Sequence, residues 1–202
     1  GADPGGLIEK LNNRSSSTLI VKRRVDTRLA YLFENNDGLT QDSLMQFGAV
    51  ARAMQMAGAL EALLDMSVQY AQERVAFGRP ISKYQAVQHN LARMAGEVAA
   101  AVAIATSAAY ALEQGSELDE AVLIEAASAK IRVGEAAGEG AAIAHQVHGA
   151  IGYTMEHPLH RFAQRLWAWR DDFGGEVEWA ERLGRVYASK GGLGMWPTVT
   201  AA

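Results

Sequence analysis

The sequence predicts a mainly α protein, an antiparallel bundle of long helices with a short N-terminal β segment. Three observations lead there. From Leu39 onward, apolar residues recur at three- and four-residue spacing over long stretches, the period of a helix buried along one face. Those stretches are joined by short connections, so consecutive helices pack as antiparallel neighbours. Aromatics make up only 7% of the chain and Ala is abundant, which suits close-packed helices because Ala has the highest helix propensity and lets axes approach.

The elements follow in order. Ala2-Asp3-Pro4-Gly5-Gly6 is turn chemistry and Ser17-Thr18-Leu19-Ile20-Val21 favours β structure, so two short strands are expected before Phe33. Two strands are marginal alone. Residues 1–37 therefore either pack on the helices or are the remnant of a larger β domain, with a helical bundle over 38–190 and a tail over 191–202. After Asn36-Asp37-Gly38, with Thr40 as a candidate N-cap, the first helix should run to about Glu73. Its predicted buried face is Leu44, Phe47, Val50, Met54, Ala57, Leu60 and Leu64, with the Met residues as core fillers.

Arg74 to Pro80 interrupts the helical pattern: Gly78 permits a positive φ and Pro80 disfavours helix in the residue before it. Ser82 with Gln85 fits a capping box, opening a second helix to about Gln114, which Gly115 closes. Ser116 with Asp119 marks a third helix to about His148. A fourth starts near Pro158, and a fifth runs from about Glu176 to Ser189.

Composition narrows the function classes. With 202 residues, 49% of them hydrophobic, the chain is long enough for one domain, or one plus a fragment, with a sizeable core. The net charge of −4 and the lack of any Lys/Arg run argue against a nucleic-acid partner. The absence of Cys excludes disulfides, thiolate metal sites and cysteine nucleophiles. No basic segment followed by an apolar stretch reads as a signal peptide, and cytoplasmic location is the default. Met94 to Leu112 is apolar, but Ala dominates it and Glu97 interrupts it; a bundle helix, not a membrane span, is expected.

Two non-helical junctions carry the chemistry. In Arg74 to Gln85, the arginines suit charge-assisted bonds to a phosphate, Gly78 lets backbone approach a ligand, and the following helix N-terminus favours an anion. A solvated turn with surface arginines explains the same residues. In Gln146-Val147-His148-Gly149-Ala150-Ile151-Gly152-Tyr153, a helix ends in small residues beside amide and imidazole groups. Gly149 there reads either as a left-handed helix cap or as a point of close approach for a cofactor.

Taken together, Arg74-x-x-Phe77-Gly78-x-Pro80-x-x-x-x-Gln85 and Gln146-x-x-Gly149-Ala150-x-Gly152-Tyr153 resemble the acyl-CoA dehydrogenases in order and separation, over about Leu39 to Ser189. The resemblance implies that residues 1–33 are the tail of the family's middle β domain. It implies a flavoenzyme that takes a proton from Cα and a hydride from Cβ of an acyl-CoA thioester, with FAD as hydride acceptor. It further implies a homo- or hetero-oligomer, dimer or tetramer, an external electron-transfer acceptor, and FAD held between subunits. On that resemblance, Arg74 would meet the diphosphate, Phe77 and Gln85 the nucleotide portion, and Gln146, Gly149 and Ala150 the same region. Ala150 stands where the family usually has Gly.

The same resemblance places the family's catalytic Glu at Gly174-Gly175, or, in a minority of members, near Gly48 on the first helix. Neither position has a carboxylate, so no catalytic residue is assigned in this chain, and a partner chain is expected to supply the base. Glu176 is the nearby alternative; as an acidic residue in the first turn of the last helix it also suits the helix dipole. No Glu-x-x-His pair occurs, which argues against a di-iron site and leaves His145, His148, His157 and His160 as packing or surface residues. Trp167, Trp169, Phe173 and Trp179 read as core or subunit interface. The rival expectation is a flavin-free helical scaffold with the same fold.

Overall fold

The computed structural model describes residues 41–114 and 119–200. The expected β segment and Ser116 lie outside them. Five helices follow in order: α1 (Gln41–Glu73), α2 (Gln85–Gln114), α3 (Glu120–His148), α4 (Leu159–Asp171) and α5 (Glu176–Thr200).

Helix α3 is the centre of the bundle and packs against each of the other four. Its sequence permits this, because Ala126, Ala129, Ala136, Ala137, Gly140 and Ala144 are all buried and bring little bulk to any side. At Gly140 a Cβ would lie 2.7 Å from a Leu60 methyl, so α1 leans on α3 where a side chain is missing. The N-terminus of α3 is capped by Asp119, whose Oδ1 accepts from the Val122 N–H at 3.0 Å.

The buried face of α1 differs from the expected one. Phe47, Val50, Ala57 and Leu60 are buried as predicted, but Leu44 is 54% exposed and Met54 and Leu64 are only partly covered. The observed stripe runs instead through Ala53, Met56, Leu63, Ser67 and Ala71. Because α1 contacts α2, α3 and α4, its buried stripe is set by several neighbours, and Ala53 and Ala71 carry too little hydrophobic signal to mark it beforehand. Ser67 is accommodated by donating its hydroxyl to the Leu63 carbonyl at 2.7 Å.

Helix α2 starts later than its expected capping box. Ile81–Lys83 form a 3-10 turn, Tyr84 is extended, and Tyr84 O accepts the Val87 and Gln88 N–H groups. Tyr84 thus occupies the cap position, and Ser82 contributes only its carbonyl, to Gln88 Nε2 at 2.9 Å. On length and composition α2 is apolar enough to cross a membrane; here Met94, Val98, Ala101, Ala105, Ala108 and Leu112 face α1 and α3. Helix α5 continues through the expected tail to Thr200, with its regular geometry broken at Gly191 (φ 68°, ψ 168°).

Candidate functional site

The Arg74 junction folds as a minimal hairpin. Val75 pairs with Pro80 and Ala76 with Arg79, and the two central residues, Phe77 (φ 50°) and Gly78 (φ 81°), both have positive φ, as a two-residue hairpin of the primed type requires. Gly78 adopts this freely, whereas Phe77 does so against its steric preference and leaves its ring 96% exposed. The hairpin is tied to its surroundings: Ile81 N–H donates to Arg74 O at 2.8 Å, Tyr84 OH donates to Ala76 O at 2.9 Å, and the Arg79 guanidinium stacks 4.2 Å from the Tyr84 ring.

The second junction begins where α3 ends. Gly149 has the positive φ expected of a cap (64°), but its ψ of −145° lies outside the left-handed helical region, in a conformation that is almost exclusive to glycine. Its N–H donates to His145 O. A 3-10 turn, Gly149–Tyr153, follows, with Gly152 buried beneath it; a Cβ at Gly152 would lie 2.8 Å from Leu159 Cδ2 and 3.1 Å from His148 Cβ.

The fold brings the two junctions to one end of the bundle. Tyr70, one turn before Arg74, stacks on His148, one residue before Gly149, with ring centroids 4.5 Å apart. Arg74, Phe77, Gln85, Gln146, Gly149 and Ala150 are all exposed at that end. Tyr70 and His148 were not expected to matter: on the sequence, Tyr70 is one more residue of a long helix and His148 a packing histidine.

The second region lies toward the other end of α1. From Gly48 to Tyr70 is 22 residues of helix, about 33 Å at 1.5 Å per residue. Here the chain between α4 and α5 turns at Phe173 (φ 58°) and Gly174 (φ 89°), and the Phe173 ring fills the space above Gly48, so that any Cβ at residue 48 would overlap the ring. Trp179, fully buried, donates its indole N–H to Phe173 O at 2.8 Å. Arg52 holds Asp172 (Nε to Oδ2, 2.8 Å) and lies 5.2 Å from the Trp169 ring.

Glu176 belongs to this turn. Its carboxylate fits the notch left by Gly134 on α3 and accepts from Arg170 Nε at 2.6 Å. Burial alone would raise its pKa, but the Arg170 hydrogen bond and the charges of Arg170 and Lys130 outweigh this and hold it below the usual value. A carboxylate so engaged is a poor proton acceptor.

Lys130, only 1% exposed, caps the C-terminus of α4 by donating Nζ to Trp169 O (3.3 Å) and Arg170 O (2.5 Å). Burial lowers its pKa against the opposing pull of Glu176, Asp172 and Asp171. Lys130→Met keeps the stem but removes the bonds to these two carbonyls, and should cost about 1–3 kcal/mol. Urea unfolding of the variant, with an unchanged m-value, is the check.

A bundle of this kind is a helical domain with an exposed hairpin and an exposed glycine-rich turn gathered at one end. Residues 36–170 match the family model described as acyl-CoA dehydrogenase, C-terminal domain. The acyl-CoA dehydrogenase IpdE2 of Mycobacterium tuberculosis is 35% identical over 140 residues, 68% of this chain and 41% of the relative. The mitochondrial short-chain specific acyl-CoA dehydrogenase of Bos taurus is 35% identical over 164 residues, 80% of this chain and 39% of the relative. The ChsE4-ChsE5 complex of Mycobacterium tuberculosis superposes with a TM-score of 0.65 at 30% identity, covering 70% of this chain and 38% of that one. Butyryl-CoA dehydrogenase of Megasphaera elsdenii gives 0.66 at 27% identity, over 70% and 36%. This chain belongs to the acyl-CoA dehydrogenase family, and it spans about two fifths of the length of these relatives.

Proposed function

We propose that this chain is the flavin-binding and interface-forming part of an acyl-CoA dehydrogenase-type oligomer, and that it does not itself supply the base that removes the Cα proton. The observation that carries the reading is the Tyr70–His148 stack, which gathers both junctions at one exposed end. The residues there fit FAD. Arg74 offers a guanidinium to the diphosphate, Gln85 and Gln146 offer amides to the nucleotide portion, and Phe77 presents an uncovered ring. Gly78 and Gly149 leave open space beside them, since a Cβ at either would meet nothing within 4 Å. Ala150 is exposed, so its methyl points to no buried clash. Bound FAD would accept the hydride from the acyl-CoA Cβ; the chain's own part is to bind and orient the nucleotide.

The distance between the two regions suits the oligomer that the family resemblance implies. The junctions and the Phe173 turn are about 33 Å apart along α1, too far to serve one centre. If, as the resemblance implies, the junctions hold one flavin and the Phe173 turn faces another, the two flavins belong to different sites and FAD would lie between subunits. At that turn, Gly174, Gly175 and Gly48 offer no carboxylate, and Glu176 is occupied by Arg170. A partner chain with its own Glu would complete the reaction, passing electrons to an external acceptor.

Native mass spectrometry of the intact protein, co-expressed with its genomic neighbours, tests this. FAD together with a second chain is expected, and Arg74→Ala should weaken flavin retention about tenfold or more, the effect of losing one charge-assisted hydrogen bond. FAD in a homo-oligomer that turns over acyl-CoA would reject the split-site reading. No FAD in any assembly would leave a flavin-free scaffold.

A further inference from the structure

We propose that His145 and His148 form an acid-sensitive latch that seats the Gly149–Tyr153 turn on the end of α3 when neutral and releases it when protonated. The turn rests on the two α3 imidazoles. His145 stacks on Tyr153 (4.2 Å, 17°) and on Trp167 of α4 (5.8 Å, 21°). His148 stacks on Tyr70 of α1 and faces His157, with ring centroids 4.7 Å apart. Buried Gly152 sits between them: a Cβ there would lie 3.3 Å from His145 Nδ1 and 3.1 Å from His148 Cβ.

The hydrogen bonding suits neutral rings only. His148 Nδ1 lies 2.8 Å from Ala144 O, which can only accept, so Nδ1 carries the proton and Nε2 is bare. Nε2 is buried with no hydrogen-bond partner, and so are both nitrogens of His145. A second proton on either ring creates a charged N–H with no acceptor, in a place that water does not reach. Stacking on Tyr153 and Trp167 favours a cation on His145 through the ring faces, but leaves its N–H groups unsatisfied.

Burial opposes protonation of both rings, and neighbouring imidazoles oppose it at His148. Burial is the main cause lowering the pKa of both rings; for His148 the bond to Ala144 opposes it, and His157 and His145 add to it. The other titratable groups against the cluster are Tyr70 from α1, Tyr153 from the turn, and His160 from α4, whose Nδ1 lies 2.6 Å from His157 O. Among the described residues, α2 and α5 bring no charge that acts on either ring. The folded rings titrate below the ordinary value of about 6.5, so their contribution is complete above that pH and is lost as pH falls through the folded values. The loss is local, because the outer side of the turn (Gly149, Ala150, Ile151 and Tyr153) is exposed.

Hydrogen exchange of the intact protein at pH 7.5 and 5.5, read by mass spectrometry, tests the latch. Protection of a peptide covering residues 149–157 is expressed relative to a core peptide from α1, which removes the intrinsic pH dependence of exchange. A fall of at least tenfold in this ratio at pH 5.5 is expected, and the His145→Phe/His148→Asn double variant should abolish the pH dependence. An unchanged ratio in the unaltered protein would overturn the proposal, as would equal loss throughout the bundle or persistence of the effect in a folded double variant.

Discussion

Gly48→Ala is expected to destabilise the domain by about 3 kcal/mol, the upper part of the usual range for overpacking. The same change at Gly58 should stabilise it by about 0.5–1 kcal/mol, the ordinary gain from Gly to Ala within a helix. Both residues lie in α1. They differ in what a Cβ would meet: nothing within 4 Å at half-buried Gly58, the Phe173 ring at buried Gly48. Phe173 has no easy retreat, since it is held at a positive φ, its carbonyl accepts the Trp179 indole N–H, and the preceding Asp172 is tied to Arg52. Urea midpoints give the two signs, and Phe173→Ala in the Gly48→Ala background should recover part of the loss. If both glycines respond alike, the ring does not occupy that space.

The opposite signs show what the sequence could and could not convey. Helix limits were legible where the chain carries its own punctuation: Pro80, Asp119 and Gly149 act locally, and α1 and α3 end where their breakers imply. The Arg74 hairpin was legible only as an interruption, because Phe77 is a poor residue for a positive φ and no Asn-Gly or Asp-Gly pair announces the turn. The rotation of the α1 buried stripe was hidden for another reason: it is set by several neighbours and marked mainly by alanines. Ser82 and Gln85 match a capping box, yet the 3-10 turn after Pro80 moves the helix start beyond Ser82, to Gln85 itself.

For the candidate site, the residue types at both junctions were readable, and family resemblance gave them roles. That Tyr70 and His148 bring the junctions together was not, since nothing local in either helix specifies a contact between residues 78 positions apart. The engagement of Glu176 was equally invisible. It depends on Gly134, far back in α3, leaving room for the carboxylate, and on Arg170 reaching across the turn.

Gly174→Glu, which restores a carboxylate at the position implied by family resemblance, is expected to yield no dehydrogenase activity and to destabilise the domain by about 3 kcal/mol, through left-handed backbone strain of order 1–3 kcal/mol plus steric and charge repulsion. Gly174 has φ 89°; a Cβ there would lie 2.9 Å from Trp179 Nε1 and 3.0 Å from Glu178 Oε2. The indole N–H already serves Phe173 O, so it cannot move aside without breaking the bond that shapes the turn. The new carboxylate would also face Glu178, a like charge that Glu178→Gln would relieve without touching the backbone strain. The double variant should therefore regain part of the stability and none of the activity. Flavin bleaching on addition of acyl-CoA, together with urea midpoints, reads both. A Gly174→Glu protein with unaltered stability and substrate-dependent bleaching would show that the turn is an intact active-site loop missing one side chain. The geometry points the other way: the glycine, the buried tryptophan and the Phe173 ring over Gly48 depend on one another, and a single carboxylate cannot be added without dismantling them.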